Sequence, residues 1–353
     1  MYVRLLSATV GALALCSVAV AAQAEDYPKT TVNVVGNLGI TTQYNELEKP
    51  FWTEVLPAAT NGAVSGEIKP WNEMGMKGPE VIRLLKQGLF DVGTTQLGFM
   101  AGDAPINDAT DLAGLSPTIE QFHDVTNAFR PVLAKYYEDT LGVHMLGLWS
   151  FQAQVLYCRD ELKGLADLKG RKIRASGLSQ SDFLEYFGAS GISMAFGEVQ
   201  QSLQNGVIDC AITGTLGGYK AKWNESAKYL YPLPINWGSA VQAANMTFWK
   251  KLDPKVQKVI EDGVAKLQED IFEQNRRENE MGIACNTGIG ECPEGPPSDM
   301  ILVEVTDEDL ALREKALKEM VLPRWAERCG AECVTQWNAT VGPIAGLEAP
   351  IKK

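Results

Sequence analysis

Histidine is nearly missing from this chain. His123 and His144 are the only two in 353 residues, too few for a histidine-rich metal site. His123 opens a helix-like stretch, Glu120 to Asp124, and His144 lies in the strand-like Val143-His144-Met145. Neither belongs to a serine or cysteine constellation. There is no G-x-S-x-G elbow, no P-loop, no G-x-G-x-x-G after a strand, no H-E-x-x-H and no C-x-x-C. The acidic run Asp307-Glu308-Asp309 stands at a helix start, where the helix dipole already accounts for it. The chain is therefore not read as an enzyme, and no cofactor or metal is expected. Positive charge is also scarce: 32 Lys and Arg face 44 Asp and Glu, a formal charge of -12. Such a surface repels phosphate backbones and anionic headgroups, which excludes nucleic acid as a partner. Past residue 24 no apolar run is long enough to span a bilayer.

What is present begins at the N-terminus. Arg4 precedes an apolar run from Leu5 to Ala22, and Ala22-Gln23-Ala24 gives an A-x-A cleavage signal before Glu25-Asp26. This is the anatomy of a secretory signal peptide, residues 1–24, and points to export to the periplasm. Leu15 before Cys16 is too bulky for a lipoprotein signal. Cleavage leaves six of the seven cysteines. An even number in an oxidising compartment favours disulfides. Fifteen pairings are open; the preferred set is Cys285–Cys292 and Cys329–Cys333 as local pairs, with Cys158–Cys210 between neighbouring strands.

Short β-rich runs alternate with helical stretches, which predicts an α/β protein. Strands are expected at 31–35, 64–68, 90–94, 143–149, 154–158 and 207–213, with another closing at Arg174. Helices are expected at 43–59 (broken by Pro50), 79–85, 181–188, 196–205, 256–277 and 308–326. Residues 285–298, rich in Gly and Pro, read as a loop.

One block is not generic. Asp167-Leu168-Lys169-Gly170-Arg171-Lys172-Ile173-Arg174 is followed by Ala195-Phe196-Gly197-Glu198-Val199, then by Ser202-Leu203-Gln204-Asn205-Gly206-Val207-Ile208-Asp209. In this order and spacing the chain resembles the solute-binding proteins of tripartite ATP-independent periplasmic (TRAP) transporters, of the DctP-like family. Glu80 to Asp91 resembles that family's first-domain unit, and the likeness runs to about Asn275. It implies a two-lobed periplasmic binding protein fold, with hinge strands and a long helix supporting both lobes. Domain I would take 25–151 and 239–278, and domain II 152–238 and 279–353 with the cysteine-bearing tail. It also implies a monomer that binds a small organic acid between the lobes and delivers it to TRAP membrane permease subunits.

The resemblance further implies site residues. Arg174 would grip the ligand carboxylate with both prongs of its guanidinium, a planar fork that Lys cannot reproduce. Gln154 stands where many members carry a second arginine, and Thr213 where asparagine is frequent. With Trp149, Phe151, Phe196 and Trp237 nearby, these departures suggest a ligand with one carboxylate and an apolar or aromatic body. Asn37, Thr95 and Gln96 would supply polar contacts from the opposite lip. The alternatives left open are a dicarboxylate or sugar-acid receptor and, from another class, a secreted hydrolase.

Overall fold

Thr30–Gly36 (β1) and Val64–Pro70 (β2) carry the β-branched residues that fit a pleated surface, and they pair in parallel over seven residues. The computed structural model describes residues 26–351. The segment read as a signal peptide, Cys16 included, lies outside them. Val92–Gln96 (β3), Val143–Ser150 (β4), Gln154–Cys158 (β5), Lys172–Ala175 (β6), Ser190–Ser193 (β7), Cys210–Gly214 (β8), Tyr229–Asn236 (β9), Ser239–Asn245 (β10) and Ile301–Leu302 (β11) follow. They form two sheets, β2-β1-β3-β10-β4 and β11-β9-β5-β8-β6-β7. The α/β, two-lobed reading is thus met, with each sheet at the centre of one lobe.

The chain passes from the first sheet to the second between Ser150 and Gln154, and returns between Asn236 and Ser239. The two crossovers are bound to each other: Phe151 N donates to the carbonyls of Trp237 and Gly238 at 3.2 and 3.1 Å. β10 inserts antiparallel between β3 and β4, so the returning strand becomes part of the first sheet's interior. Strands β7, β9 and β10 were not foreseen. Pro232 and Pro234 interrupt the pattern of β9, and the Ala-rich β10 lacks the large apolar residues that mark a strand.

The helix expected at 256–277 runs from Pro254 to Thr287, capped by the Asp253 side chain on Lys255 N at 2.8 Å. Its first half buries Val256, Ile260, Val264, Leu267 and Ile271 in the first lobe's core. Beyond Ile271 the buried positions turn polar (Gln274, Asn275, Glu278) where the helix passes the crossovers, and the apolar period that marked it fades there. At Gly282 a Cβ would stand 2.3 Å from Leu216 N, so only glycine lets the helix lie on the backbone of the second lobe.

All three expected disulfides form: Cys158–Cys210, Cys285–Cys292 and Cys329–Cys333. The late helix is longer than expected. Asp307–Ala316 opens with a capping box of Thr306 and Asp309, and helix continues through Leu322–Ala345 with a break at Gly330. This tail touches both halves of the molecule. Trp325 Nε1 and Trp337 Nε1 each donate at 2.8 Å, to the carbonyls of Pro105 and Ala109, while Arg324 and Arg328 engage Asp182. Among the described residues no helix is long and apolar enough to cross a membrane.

Candidate ligand-binding site

Period-two alternation decides which residues of the second sheet can meet. Ile173 and Ala175 of β6 enter one core, together with Leu156, Cys158 and Ile212. Arg174 therefore points to the other face, shared with Val155, Tyr157 and Ala211. Thr213, two residues beyond Ala211 on β8, lies on that face as well. Gln154 does not: it alternates with Leu156 and Cys158, and its amide turns back to the Gln152 carbonyl at 3.0 Å.

Arg174 is 2% exposed. Nε donates to the Met194 carbonyl at 3.2 Å and Nη1 to the Ile212 carbonyl at 2.8 Å. The guanidinium carbon stands 6.0 Å from the Phe196 ring centroid and 5.9 Å from that of Trp223. Those two rings lean on each other at 5.3 Å and 32°. Burial pulls the guanidinium down to about 10, and no carboxylate among the described residues opposes that shift. A buried cation without an anion is costly by several kcal/mol. Aromatic faces and carbonyl oxygens reduce that cost, but only a negative partner would cancel it.

The remaining aromatic candidates are Trp149, Trp237 and Phe151. Trp149 is packed in the first lobe's core beside Leu146 and Val264. Trp237 is buried in the cluster of Val155, Tyr157 and Ala211, its indole donating to the Ser116 carbonyl at 2.9 Å. Phe151 sits in the crossover, against Gly238. Trp149 and Phe151 were singled out because they precede Gln154, and Trp237 because it lies near the second crossover.

On the first lobe, Asn37 N donates to Glu48 at 2.8 Å, while its buried Nδ2 has no hydrogen-bond partner among the described residues. Thr95 Oγ1 donates to the Gly78 carbonyl at 2.8 Å. Gln96 borders a narrow pocket between the lobes, lined also by Asp108, Asp111, Ser176, Gln180, Asn236 and Ser239. The lobes approach closely beside it, where a Cβ on Gly177 would lie 3.1 Å from the Gly98 carbonyl oxygen. Further out, Lys77 Nζ of the first lobe reaches Glu198 Oε1 of the second at 2.9 Å. Glu198 is two residues from Phe196, so this ion pair crosses the cleft next to the Arg174 site.

Four acidic side chains escaped the sequence reading. Asp111 accepts from Trp237 N at 2.9 Å and Asn236 Nδ2 at 2.8 Å, and so holds the second crossover. Glu278 accepts from Gln152 Nε2 at the first. Glu48 accepts from Thr94 Oγ1 at 2.6 Å and Gln242 Nε2 at 3.2 Å. Burial raises Asp111, Glu278 and Glu48 to about 7, and Asp108, beside Asp111, to about 8. Nothing in the sequence distinguishes these from surface acids. Trp223 was also missed, although an indole between Lys222 and Asn224 is conspicuous in so polar a run.

Two mixed sheets joined by paired crossovers, with a buried guanidinium that faces no acid on one inner face, make up a two-lobed α/β architecture. The chain matches the family of bacterial extracellular solute-binding proteins, family 7, over residues 39–326, and belongs to it. It is 27% identical over 294 residues to the C4-dicarboxylate-binding periplasmic protein DctP of Rhodobacter capsulatus, covering 81% of this chain and 84% of that one. It is 26% identical over 213 residues to the uncharacterized protein YiiZ of Salmonella typhimurium, covering 58% of this chain but only 63% of that protein's length. Among solved structures it resembles Bordetella pertussis DctP7, an extracytoplasmic solute receptor binding pyroglutamic acid (21% identity, TM-score 0.76, 88% and 99% covered). It resembles as well a TRAP periplasmic solute-binding protein of Desulfovibrio salexigens with bound orotic acid (17%, TM-score 0.77, 90% and 100%). A third is from Rhodoferax ferrireducens with bound malonate (17%, TM-score 0.78, 89% and 98%).

Proposed function

We propose that the chain is the periplasmic receptor of a TRAP transporter and binds an organic acid with one carboxylate on an apolar or aromatic body. The observation that carries this reading is Arg174, a buried guanidinium with no acid opposite it. A ligand carboxylate supplies the missing charge and accepts two parallel hydrogen bonds. Phe196 forms the wall beside it, Thr213 offers a hydroxyl on the same face, and Asn37 offers its unpaired amide from the first lobe. Gln154, uncharged and on the other face of β5, adds no second cation. Two of the similar structures hold pyroglutamic and orotic acid, each a ring bearing one carboxyl group, which agrees with a monocarboxylate. Malonate in another keeps a dicarboxylate as the second reading.

The lobes move as units of 25–151 with 239–278 and of 152–238 with 279–353, after removal of residues 1–24. Ligand contacts to both favour the closed form by their differential affinity. The closed form then docks as a monomer on the membrane permease.

Titration calorimetry with benzoate, pyroglutamate, orotate, malonate and succinate tests the reading. Preference for the first three supports it, and preference for the dicarboxylates replaces it with the second. Arg174→Ala is expected to weaken binding at least about ten-fold with the fold intact. Unchanged affinity in that variant refutes the carboxylate anchor.

A further inference from the structure

We propose that Trp223 is a positioning residue for Arg174. Its indole acts through the guanidinium rather than on the ligand, and fixes the direction in which the charge is presented. The inference rests on the carboxylate-anchor reading and assigns the device that makes the anchor rigid.

Trp223 is 0% exposed, whereas the neighbouring Phe196 is only partly buried. Its ring meets two other rings and the guanidinium. It leans against Phe196 at 5.3 Å, stands 5.9 Å from the Arg174 guanidinium carbon, and takes the Tyr157 ring edge-on at 5.6 Å and 84°. Tyr157 is itself held, its hydroxyl donating to the Thr215 carbonyl at 2.5 Å. Arg174 thus has two fixed edges, at Met194 and Ile212, and two ring faces that restrict the tilt of its plane.

Two features indicate that the indole is there for its face. Its Nε1–H is buried without an acceptor among the described residues, a cost that a phenyl ring would avoid. Indole is the strongest of the aromatic faces toward a cation. The backbone is also bent to deliver it: Lys222, immediately before, has φ 60° and ψ 31°, a left-handed conformation that a lysine adopts at some expense.

The test compares Trp223→Leu and Trp223→Phe in the full chain with benzoate, pyroglutamate, orotate and malonate as probes. Trp223→Leu is expected to weaken every carboxylate that binds by a similar factor of about ten, because all share the anchor. Trp223→Phe should recover most of that loss. A loss confined to the ring-bearing probes, or no loss, overturns the proposal. A readout without ligand is the Arg174 Nε–H signal by NMR, assigned by its absence in Arg174→Lys. It should be sharp and protected in the wild type and mobile in Trp223→Leu; a wild-type signal there also overturns the proposal. If Trp223→Leu does not fold, the Nε–H shift in Trp223→Phe decides: it must move with the change of ring, and an unmoved shift is contrary. Should Arg174→Ala bind normally, the carboxylate reading itself fails. Should it lose binding while Trp223→Leu does not, only the present inference fails.

Discussion

Two buried arginines sit in different parts of this molecule and solve the same problem differently. Arg313, on the tail helix, donates to the Pro234 and Ser116 carbonyls and so ties β9 to the segment before helix Ile119–Tyr136. Burial pulls its guanidinium down to about 10, but Glu314 next to it pushes back. Arg174 also has two carbonyls and the same downward pull, yet it has rings where Arg313 has an acid. Burial alone therefore does not mark a ligand anchor. What separates the two is the missing counter-charge, together with a place on the inner face of a sheet near the cleft. One arginine ties two segments of the fold; the other, on the reading proposed above, receives the ligand.

Several measurements can break or sharpen that contrast. The largest effect is expected at Arg174→Ala, where the bound carboxylate would be left without its cation at about 3–5 kcal/mol. Calorimetry should find this loss in affinity, with little change in chemical denaturation. Next come the disulfides, which repeat the contrast covalently. Cys158–Cys210 bonds β5 to β8 beneath the site across 52 residues, and Cys329–Cys333 spans only four in the tail. Loop-closure entropy predicts losses of about 4 and about 2 kcal/mol for their double alanine variants. Equal losses in urea titrations would mean that tail strain, not loop length, governs them.

Arg313→Ala should behave opposite to Arg174→Ala. It should cost about 2 kcal/mol of stability by stranding two carbonyls, and leave affinity untouched. A ligand-binding defect there would remove the distinction between the two residues. The acids near the crossovers give a smaller effect with a definite sign. Asp111, Glu278 and Glu48 sit at about 7 and Asp108 at about 8, all above the ordinary carboxylate range. The folded state thus binds their protons more tightly than the unfolded chain does. Their stabilising share is complete below about pH 4 and drains away as pH climbs to 7 or 8, by about 1 kcal/mol or more. Unfolding free energy should therefore fall from pH 5 to pH 8, and Asp111→Asn should flatten the slope; a rise over that interval would contradict the burial argument. Smallest of all is Lys77→Ala. Both partners of the Lys77–Glu198 pair are more than half exposed, and the change in affinity should stay within a few-fold.

How much of this was legible beforehand follows from what each signal depends on. Arg174 was singled out because a whole ordered motif surrounds it, not because an arginine on a strand is unusual; its burial on the inner face is what the structure adds. The disulfides were legible from parity and spacing. The first half of the long helix was visible because Val256 to Ile271 keep a helical period; its second half was not, because Gln274, Asn275 and Glu278 face other polar groups instead of a core. The aromatic cluster went astray for a related reason. Trp149 is near Gln154 along the chain, but it packs into the first lobe's core. Trp223 reaches Arg174 from a distant turn, and sequence distance conceals such a contact.

The continuity of helix Pro254–Thr287 has a mechanical consequence. Its front end is embedded in one lobe and its rear end rests on the other, with Gly282 against Thr215 and Leu216. Any separation of the lobes must flex this rod near Asn275, whose side chain is bonded to Ser150 in the crossover. Helices yield by small tilts shared over many peptide units, not at one joint. On the proposed closing of the lobes, the rod therefore bends over its whole length, as a leaf spring does, and the two jaws share one continuous support.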